Sequence, residues 1–495
     1  MSVEKDFVLS SLLQHNFLPM QKRDREEMPP NFSSITFTPD VAKQILAGRK
    51  RSSTDYQGYD AVDYKLTRFN GVSRSCSIPH PMGYAALVYC IHAHWDKIAY
   101  IETNKNSLIR PRQHKDGRLV IMDYERSFEK TKRNLRAAFG RRFIAHTDIS
   151  NCFPSVYSHA VPWATVGFAE SKKHKGPTHK GEWFNQLDEK LRWLKRNETQ
   201  GVAIGPGTSN VLTEVILARV DEKLRPDFAF SRFIDDYTAY CNTEDDAQRF
   251  IRRLSDELAK YKLMLNIKKT QILSLPQALT NDWIGELALR LPKTAALSAY
   301  DAVNYLNLAV QVAKSSPDGS VLKYALKAIT RQKFDFMAEF DVLRYALTLS
   351  FHQTALLPLL DSLFEATDIG CGFLYGVELN RIALENAING RSDGMAWSLY
   401  YLNKYGVNVN DDIATKVIES RDCIAMLLLF QSGNPAHQAE VLKFAAALDK
   451  NCLYDLDQYW ILLYQLYIAG KITMPYATED AFEIMKANGV TFLNS

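Results

Sequence analysis

Features that would assign the chain to a membrane, secreted or disulfide-linked class are missing from its sequence. There is no run of about 18 apolar residues, so no transmembrane helix is expected. Glu4 and Asp6 interrupt the start of the chain, and no secretory signal is expected there. The seven cysteines are scattered and form no CxxC pair, which favours reduced thiols over a disulfide framework. These absences predict a cytoplasmic protein that makes no contact with a membrane.

Two nucleotide-binding fingerprints are also missing. The sequence contains neither a P-loop nor a G-x-G-x-x-G pattern. It has no zinc-binding spacing either, because His92 and His94 stand without cysteine partners. The composition that remains, with 46% hydrophobic and 23% charged residues, is that of a globular protein. A chain of 495 residues is long enough for two to four domains.

Charge is distributed unevenly along the chain. The net charge is +4 overall, but residues 1–280 carry +11 and the remaining residues carry −7. The basic part suits a polyanionic partner, whereas the acidic part does not. A solvated basic surface would show the same excess, so the asymmetry supports nucleic-acid binding without specifying it.

Two adjacent carboxylates, Asp235 and Asp236, lie between the apolar runs 230–234 and 237–240. The runs predict two strands with the aspartates in the hairpin turn, where an isolated Asp-Asp pair is most often a solvated tip. A third carboxylate, Asp148, ends another apolar strand. Three carboxylates that converge from two strand ends can bind two Mg²⁺ ions, which is the arrangement used in phosphoryl transfer.

The segments around these aspartates predict an α+β fold with helices on one face of a sheet. A basic hairpin turn is expected at 115–118, and a glycine-rich loop at 201–207 with Thr208, Ser209 and Asn210 as candidate N-caps. Helices are expected at 39–50, 84–94, 127–139, 187–195, 211–224 and 245–260, and a strand, turn and strand at 263–272.

From about residue 285 the periodicity of 3.6 residues dominates, which predicts stacked helical hairpins. Helices are expected at 300–312, 322–329, 342–359, 375–388, 397–405, 413–418, 424–430, 438–448, 458–468 and 478–487. The predicted domains are an N-terminal extension at 1–60, a catalytic region at 61–283 and an α-helical domain at 284–495.

Four motifs in order resemble the fingers and palm of reverse transcriptases. They are Asp148 with Phe153 five residues later, Gln200-Gly201 with its glycine-rich loop, Phe233 before Asp235-Asp236, and Asn266 with Lys269. Many members of that family have tyrosine where Phe233 stands. Residues 204–210, residues 156–164 and the long helical tail make the chain similar to the Abi abortive-infection polymerases of bacterial phage defence. The tail resembles the HEAT-like domain of that family.

The resemblance implies a role for each matching residue. Asp148, Asp235 and Asp236 would be catalytic and, with the Ile149 carbonyl, would bind Mg²⁺, with Mn²⁺ as the alternative ion. Nucleotide contacts are expected from Phe153, Gln200, Gly201, Arg110, Arg112, Lys115, Arg118 and Lys269, with Phe153 selecting the sugar and Lys269 near the leaving group. Tyr56, Tyr59 and Tyr64 are the candidates for a priming hydroxyl.

The same resemblance implies a DNA polymerase that is protein-primed and independent of a template. Its partners would be dNTPs, a single-stranded DNA product that is free or covalently attached, and copies of itself in a trimer or hexamer. Two alternatives remain open at this point. One is a templated RNA-directed DNA polymerase that uses a partner RNA, and the other is a catalytically silent oligomeric phage sensor.

Overall fold

A computed structural model describes residues 3–49, 51, 57–68, 71–122, 127–278, 280–317, 320–366, 372–474, 476 and 479–494. Its described strands form two antiparallel sheets. The first is a hairpin of β1 (Ala61–Thr67) and β2 (Ser73–Pro79), and the second has the order β4-β5-β3-β6. The strands of the second sheet are β3 (Phe143–Asp148), β4 (Phe230–Phe233), β5 (Asp236–Cys241) and β6 (Gln271–Ser274).

The register of the four-stranded sheet determines which carboxylates meet. The central strand β3 pairs with β5 so that Asp148 lies opposite Asp236. On its other edge β3 pairs with β6, where His146 lies opposite Gln271. Because side chains alternate between the two faces of a strand, the aspartates share a face with His146 and Thr238. Asp148 and Asp236 therefore lie at one end of a single sheet face.

Helices make up most of the remaining structure. In chain order the α-helices of the described ranges are α1 Lys5–Gln14, α2 Pro39–Ala47, α3 Pro81–Ala93, α4 Trp95–Ile98, α5 Ser127–Ala138, α6 Cys152–Ser155, α7 Ala160–Val166, α8 Phe168–Lys173, α9 Trp183–Trp193, α10 Gly207–Leu224, α11 Glu244–Ala259, α12 Asp282–Arg290, α13 Ala299–Ser315, α14 Val321–Ile329, α15 Phe336–His352, α16 Leu360–Ala366, α17 Gly376–Ile388, α18 Ser392–Lys404, α19 Asp411–Ser420, α20 Cys423–Gln431, α21 Pro435–Ala446, α22 Leu453–Asp457, α23 Trp460–Ile468 and α24 Ala481–Ala487. Short 3₁₀ helices lie at Ala99–Ile101, Pro177–His179, Ile267–Lys269, Thr354–Leu359 and Gly372–Tyr375. None of the described helices is long and apolar enough to cross a membrane.

Helix α11 shows how the sequence pattern positions an element on the sheet. Its N-terminus is capped by Thr243, whose hydroxyl accepts from the amide of Asp246. Phe250, Leu254 and Leu258 recur every four residues, are fully buried and face β3 and β5. Burial of each such side chain contributes about 1.5–3 kcal/mol. The opposite face of the helix carries charged residues and is exposed to solvent.

The helices predicted beyond residue 300 are confirmed, with ends displaced by a few residues. The prediction for 342–359 is displaced along the chain, because the α-helix begins at Phe336 and ends at His352, and Pro358 lies in the following 3₁₀ helix. Residue 478, where another helix was expected to begin, lies outside the described residues. Successive helices pack on one another, as in the contacts of α17 with α18 and of α18 with α20. The mixed fold with a helical C-terminal region is confirmed.

Two local predictions are wrong. Thr208, Ser209 and Asn210 are not N-caps, because α10 begins at Gly207 and these residues lie inside its first turn. The helix starts early because the Gly207 amide donates to the Asn16 carbonyl, which is a contact with a distant segment. The turn at 115–118 is present, closed by the His114 amide on the Arg118 carbonyl, but no strands flank it.

The N-terminal segment is part of the main core and contacts both later regions of the chain. The Asn16 side chain accepts from the amides of Leu119 and Val120. At its other end, Phe32 forms a β-bridge with Leu493, and the Thr36 hydroxyl donates to the Thr491 carbonyl at 2.8 Å. These contacts join the beginning of the chain to the turn before α5 and to the C-terminal residues.

Candidate active site

The hairpin between β4 and β5 brings Asp235 and Asp236 against the end of β3. Asp235 lies in the turn, and Asp236 is the first residue of β5. The Ile149 amide donates to the Asp235 carbonyl at 3.2 Å, so the turn is tied to the residue that follows Asp148. The three predicted carboxylates thus come together at one strand end. The predicted use of the Ile149 carbonyl as a metal ligand stays a prediction.

The turn has an unusual backbone at Ile234, whose φ is 57°. A β-branched residue in the left-handed region is a genuine outlier, and such strain costs about 1–3 kcal/mol. The guanidinium of Arg232 donates to the Ile234 carbonyl at 2.8 Å and holds the turn in this conformation. Strain that the surroundings maintain is typical of functional sites.

Arg232 belongs to a buried charge cluster that the sequence analysis missed. It is fully buried and donates to Glu214 at 2.7 and 3.0 Å and to Asp221 at 2.7, 2.9 and 3.2 Å. The Tyr237 hydroxyl donates to Asp221 at 3.0 Å. The available signal was the pair of acids seven residues apart on α10, which places two charges on one face of an apolar helix.

Neighbouring cations neutralise the charges of Asp148, Asp235 and Asp236 much less fully than those of Glu214 and Asp221. Burial, and then repulsion from Asp236 and Asp148, raise the pKa of Asp235 to about 6. Burial and repulsion from Asp148 also raise the pKa of Asp236. Lys269 is the nearby counter-charge: its ammonium donates to Asp148 Oδ2 at 2.6 Å, and this hydrogen bond raises the pKa of Lys269. Additional positive charge would therefore be favoured at this site.

The donor set fits a divalent cation that also takes ligands from a substrate. Asp148 is almost fully buried, yet its Oδ1 has no hydrogen-bond partner within the described ranges. Among all the residues that the structure describes, no three histidine, cysteine or acidic side chains are grouped closely enough to enclose a metal by themselves. Mg²⁺ commonly takes one or two carboxylates and completes its shell with water and substrate phosphates. The residues present fit that mode of binding and do not select a particular ion.

A cavity of about 490 Å³ opens beside these carboxylates. Asp148, Asp236 and Lys269 line it. Lys130 and Arg133 of the basic helix α5 line it as well. A volume in the range of about 300–1,000 Å³ suits a ligand of nucleotide size. The cavity therefore brings positive side chains near the site where metal and phosphate would meet.

Phe153, Gln200 and Gly201 are brought together on a neighbouring surface. The Val202 amide donates to the Phe153 carbonyl at 2.9 Å, and the Gln200 amide group donates to the Pro154 carbonyl at 3.1 Å. Gly201 has φ of 82°, and an added Cβ would lie 3.1 Å from the Pro154 carbonyl oxygen. A residue with a side chain would be strained there. Phe153 itself is half-buried against the core.

The predicted basic contacts at 110–118 do not line the cavity. Arg112 and Lys115 are exposed and Arg110 is half-buried. Arg118 is buried and donates to Asp116 and to the carbonyls of Met20, Lys22 and Arg23. Because these hydrogen bonds hold the Arg118 guanidinium against the N-terminal segment, its position does not support a triphosphate contact. The hydrogen bonds of Arg118 depend on a segment that is remote in sequence.

The three candidate priming tyrosines differ in what the structure describes. Tyr56 lies outside the described residues. Tyr59 is buried, its hydroxyl donates to Glu479, and burial raises its pKa. Tyr64 is fully buried, its hydroxyl donates to the Glu27 carbonyl, and burial raises its pKa as well. Neither Tyr59 nor Tyr64 lines the catalytic cavity, so either phenol would have to leave its hydrogen bond to act as a nucleophile.

Comparison with known proteins identifies the central part of the chain. Residues 102–310 match the family model of reverse transcriptase (RNA-dependent DNA polymerase). No curated protein is similar enough in sequence to match.

Similar solved structures include apo telomerase from Candida tropicalis truncated from its C-terminal domain, at 12% identity and a TM-score of 0.31 over 49% of this chain and 55% of that chain. Apo telomerase from Candida tropicalis has 11% identity and a TM-score of 0.34 over 85% and 74%. Telomerase from Candida albicans in complex with a TWJ fragment of telomeric RNA has 12% identity and a TM-score of 0.30 over 77% and 69%. At these TM-scores the likenesses support no argument about function.

The match of the family model covers Asp148, Phe153, Gln200 and both aspartates of the hairpin. It begins after the β1–β2 hairpin and ends inside α13. The chain therefore carries a reverse transcriptase domain, in a mixed helix and sheet fold with a helical C-terminal region.

Proposed function

We propose that the chain is a DNA polymerase of the reverse transcriptase type that extends a strand with dNTPs. The observation that carries this proposal is the pairing of Asp148 with Asp236 beside Asp235, at the edge of a cavity that basic side chains also line. A buried Asp148 oxygen without a hydrogen-bond partner among the described residues, together with a raised pKa at Asp235, indicates a site that favours a bound cation.

In this proposal Asp148, Asp235 and Asp236 would hold the metal ions, whose charge would activate the attacking hydroxyl and neutralise the leaving pyrophosphate. The residues of the chain position the reactants. Lys130 and Arg133 line the same cavity as Asp148 and Asp236 and would attract the phosphates. Phe153 would exclude a 2′-hydroxyl, and Lys269 would lie near the leaving group.

The test of this function is the double substitution Asp235→Ala, Asp236→Ala, assayed for incorporation of labelled dNTPs with Mg²⁺. We expect incorporation to fall at least about a thousandfold, which corresponds to about 4 kcal/mol in the barrier. The matched control is Asp245→Ala, Asp246→Ala, which changes an adjacent acidic pair at the start of α11. Incorporation by the first variant at the rate of the control would refute the polymerase assignment.

Sugar selection is tested by Phe153→Ala. Removing the half-buried ring should admit ribonucleotides, since the 2′-hydroxyl would no longer meet it. The ratio of dNTP to NTP incorporation is expected to fall about tenfold or more, which is more than about 1.4 kcal/mol in discrimination. Phe139→Ala removes an exposed ring outside the cavity and serves as the control. An unchanged ratio in Phe153→Ala would assign sugar selection to another residue.

The finer proposal is a protein-primed, untemplated polymerase of antiphage abortive infection that works as a homo-oligomer. Its support is the sequence resemblance to the Abi polymerases and the long helical region after the palm. Purified protein with labelled dNTPs and no template should yield a product that stays with protein on a denaturing gel until protease is added. A product that needs added RNA and copies its sequence would instead favour the templated alternative.

A further inference from the structure

A second cavity, of about 370 Å³, lies among helices α7, α8 and α9, and none of its lining residues lines the catalytic cavity. We name it the lysine pocket, defined by Lys172, Lys175, Lys180, Trp163, Trp193 and Asp188. Its volume is within the range of about 300–1,000 Å³ for small-molecule sites. Apart from Gln57, its lining residues lie between Phe153 and Gln200, and the proposed polymerase mechanism does not use them.

The rim of the lysine pocket has an excess of positive charge. Lys172, Lys175 and Lys180 are exposed, and within the described ranges no carboxylate lies close enough to form an ion pair with them. The neighbouring Lys190 and Arg192 differ, because they pair with Glu189 and Asp188. Three ammonium groups around one cavity favour a ligand with several negative charges, such as a polyphosphate.

One wall of the lysine pocket is aromatic. Trp163 and Trp193 both line it. The Lys172 ammonium lies 5.7 Å from the centroid of the Trp163 ring, within the distance of a cation–π interaction. A planar base packs on such rings whatever its sequence identity, because every nucleobase has a π face. An aromatic wall beside a cationic rim matches a base joined to phosphates better than it matches a bare anion.

Asp188 adds a hydrogen-bond acceptor inside the lysine pocket. Its carboxylate is buried, and its Oδ2 accepts from His159 Nδ1 at 3.0 Å and from Arg192 Nε at 3.2 Å. Its Oδ1 is also buried but has no hydrogen-bond partner among the described residues. The buried Ser158 hydroxyl lies beside this carboxylate and helps to lower the pKa of Asp188. A sugar hydroxyl or an amino group of a ligand can donate to this oxygen.

We propose that the lysine pocket binds a nucleoside triphosphate at a site separate from the catalytic centre. The base would pack against the tryptophans, a hydroxyl or amino group would donate to Asp188, and the phosphates would meet the three lysines. The cavity volume of about 370 Å³ is in the range for one ligand of nucleotide size. The chain leaves α9 at Trp193 and turns towards Gln200, and the Lys195 ammonium donates to the Gln200 carbonyl at 2.8 Å. The bound nucleotide would therefore lie next to the segment that also carries Gln200 and Gly201.

Binding is tested on the full chain with ATP in EDTA, where the catalytic carboxylates hold no metal to recruit phosphates. Titration calorimetry and the quenching of tryptophan fluorescence are the measurements. We expect saturable quenching, and at least a tenfold weaker Kd for Lys172→Glu, Lys175→Glu, Lys180→Glu. The control Lys314→Glu, Lys450→Glu, Lys471→Glu makes the same change of charge at exposed lysines outside the pocket and should bind ATP like the parent protein.

Further binding measurements show which part of the nucleotide the lysine pocket recognises. Trp163→Leu should weaken ATP at least tenfold and leave inorganic tripolyphosphate unchanged, which separates the base from the phosphates. The variant Asp235→Ala, Asp236→Ala should bind ATP in EDTA like the parent, so failure of the polymerase proposal would not affect this result. No saturable binding, equal binding by the lysine variant, equal affinity for tripolyphosphate, or tighter binding of a 5′-phosphorylated oligonucleotide would each overturn the proposal.

Discussion

Two clusters of carboxylates lie side by side at the four-stranded sheet and differ in how their charge is neutralised. Glu214 and Asp221 share the buried guanidinium of Arg232, and Asp221 also accepts from the Tyr237 hydroxyl, so their hydrogen bonds are largely satisfied. Of Asp148, Asp235 and Asp236, Asp148 pairs with the Lys269 ammonium, and its Oδ1 has no hydrogen-bond partner among the described residues. The cluster around Arg232 has its charges paired, whereas the less fully neutralised carboxylates have capacity left for a cation and its ligands.

The two clusters are also connected. Arg232 lies between the acids of α10 and the carbonyl of Ile234, the strained residue that precedes Asp235. The guanidinium of Arg232, whose charge is paired inside the protein, thus holds the backbone of the turn that carries Asp235 and Asp236. Substitutions that exchange the properties of the clusters should separate stability from activity.

The largest change in stability is expected for Arg232→Met. It leaves Glu214 and Asp221 buried without their cation, which costs about 3–5 kcal/mol in the free energy of unfolding. Urea denaturation followed by circular dichroism measures this loss. Arg249→Met is the control, because Arg249 is exposed and pairs with Asp246 on the surface of α11, where loss of the pair costs at most about 1 kcal/mol. Equal losses in both variants would show that the buried cluster is not a structural anchor.

An intermediate effect is expected from the pH dependence of stability without metal. Because the pKa of Asp235 is raised to about 6 in the folded protein, the folded state keeps a proton that the unfolded state has released above about pH 4. The free energy of unfolding should fall as the pH rises from about 4 to 6, by at most about 3 kcal/mol. Asp235→Asn should remove this fall and be more stable than the parent at pH 7 in EDTA. A parent and variant with parallel pH profiles would contradict the raised pKa of Asp235.

The smallest change in stability is expected for Lys269→Met. Lys269 is largely exposed, so loss of its ion pair with Asp148 should change the free energy of unfolding by less than about 1 kcal/mol. If Lys269 acts as the acid for the leaving group, incorporation should still fall about a hundredfold. Lys268→Met removes the neighbouring exposed lysine and should leave incorporation unchanged. Normal incorporation by Lys269→Met would show that Lys269 is not the acid for the leaving group and only forms an electrostatic contact with Asp148.

Much of the local structure follows from sequence alone, for reasons that are themselves local. Asp148, Asp235 and Asp236 end or interrupt apolar runs, so strand alternation and turn chemistry predict where they lie. The helices beyond residue 300 follow from their spacing of apolar residues. The order of the four motifs also predicted the reverse transcriptase domain, which the family model then matched at residues 102–310.

Contacts between distant segments decided the rest. The start of α10 depends on the Asn16 carbonyl, and the position of Arg118 depends on carbonyls at 20–23, almost a hundred residues away. No periodicity in the sequence encodes such partners. The sequence thus determined which residues are the candidates for the chemistry of the proposed active site. Only the tertiary structure decided which charges are neutralised, because compensation depends on the side chains that folding brings within a few ångströms, such as Arg232 for Glu214 and Asp221.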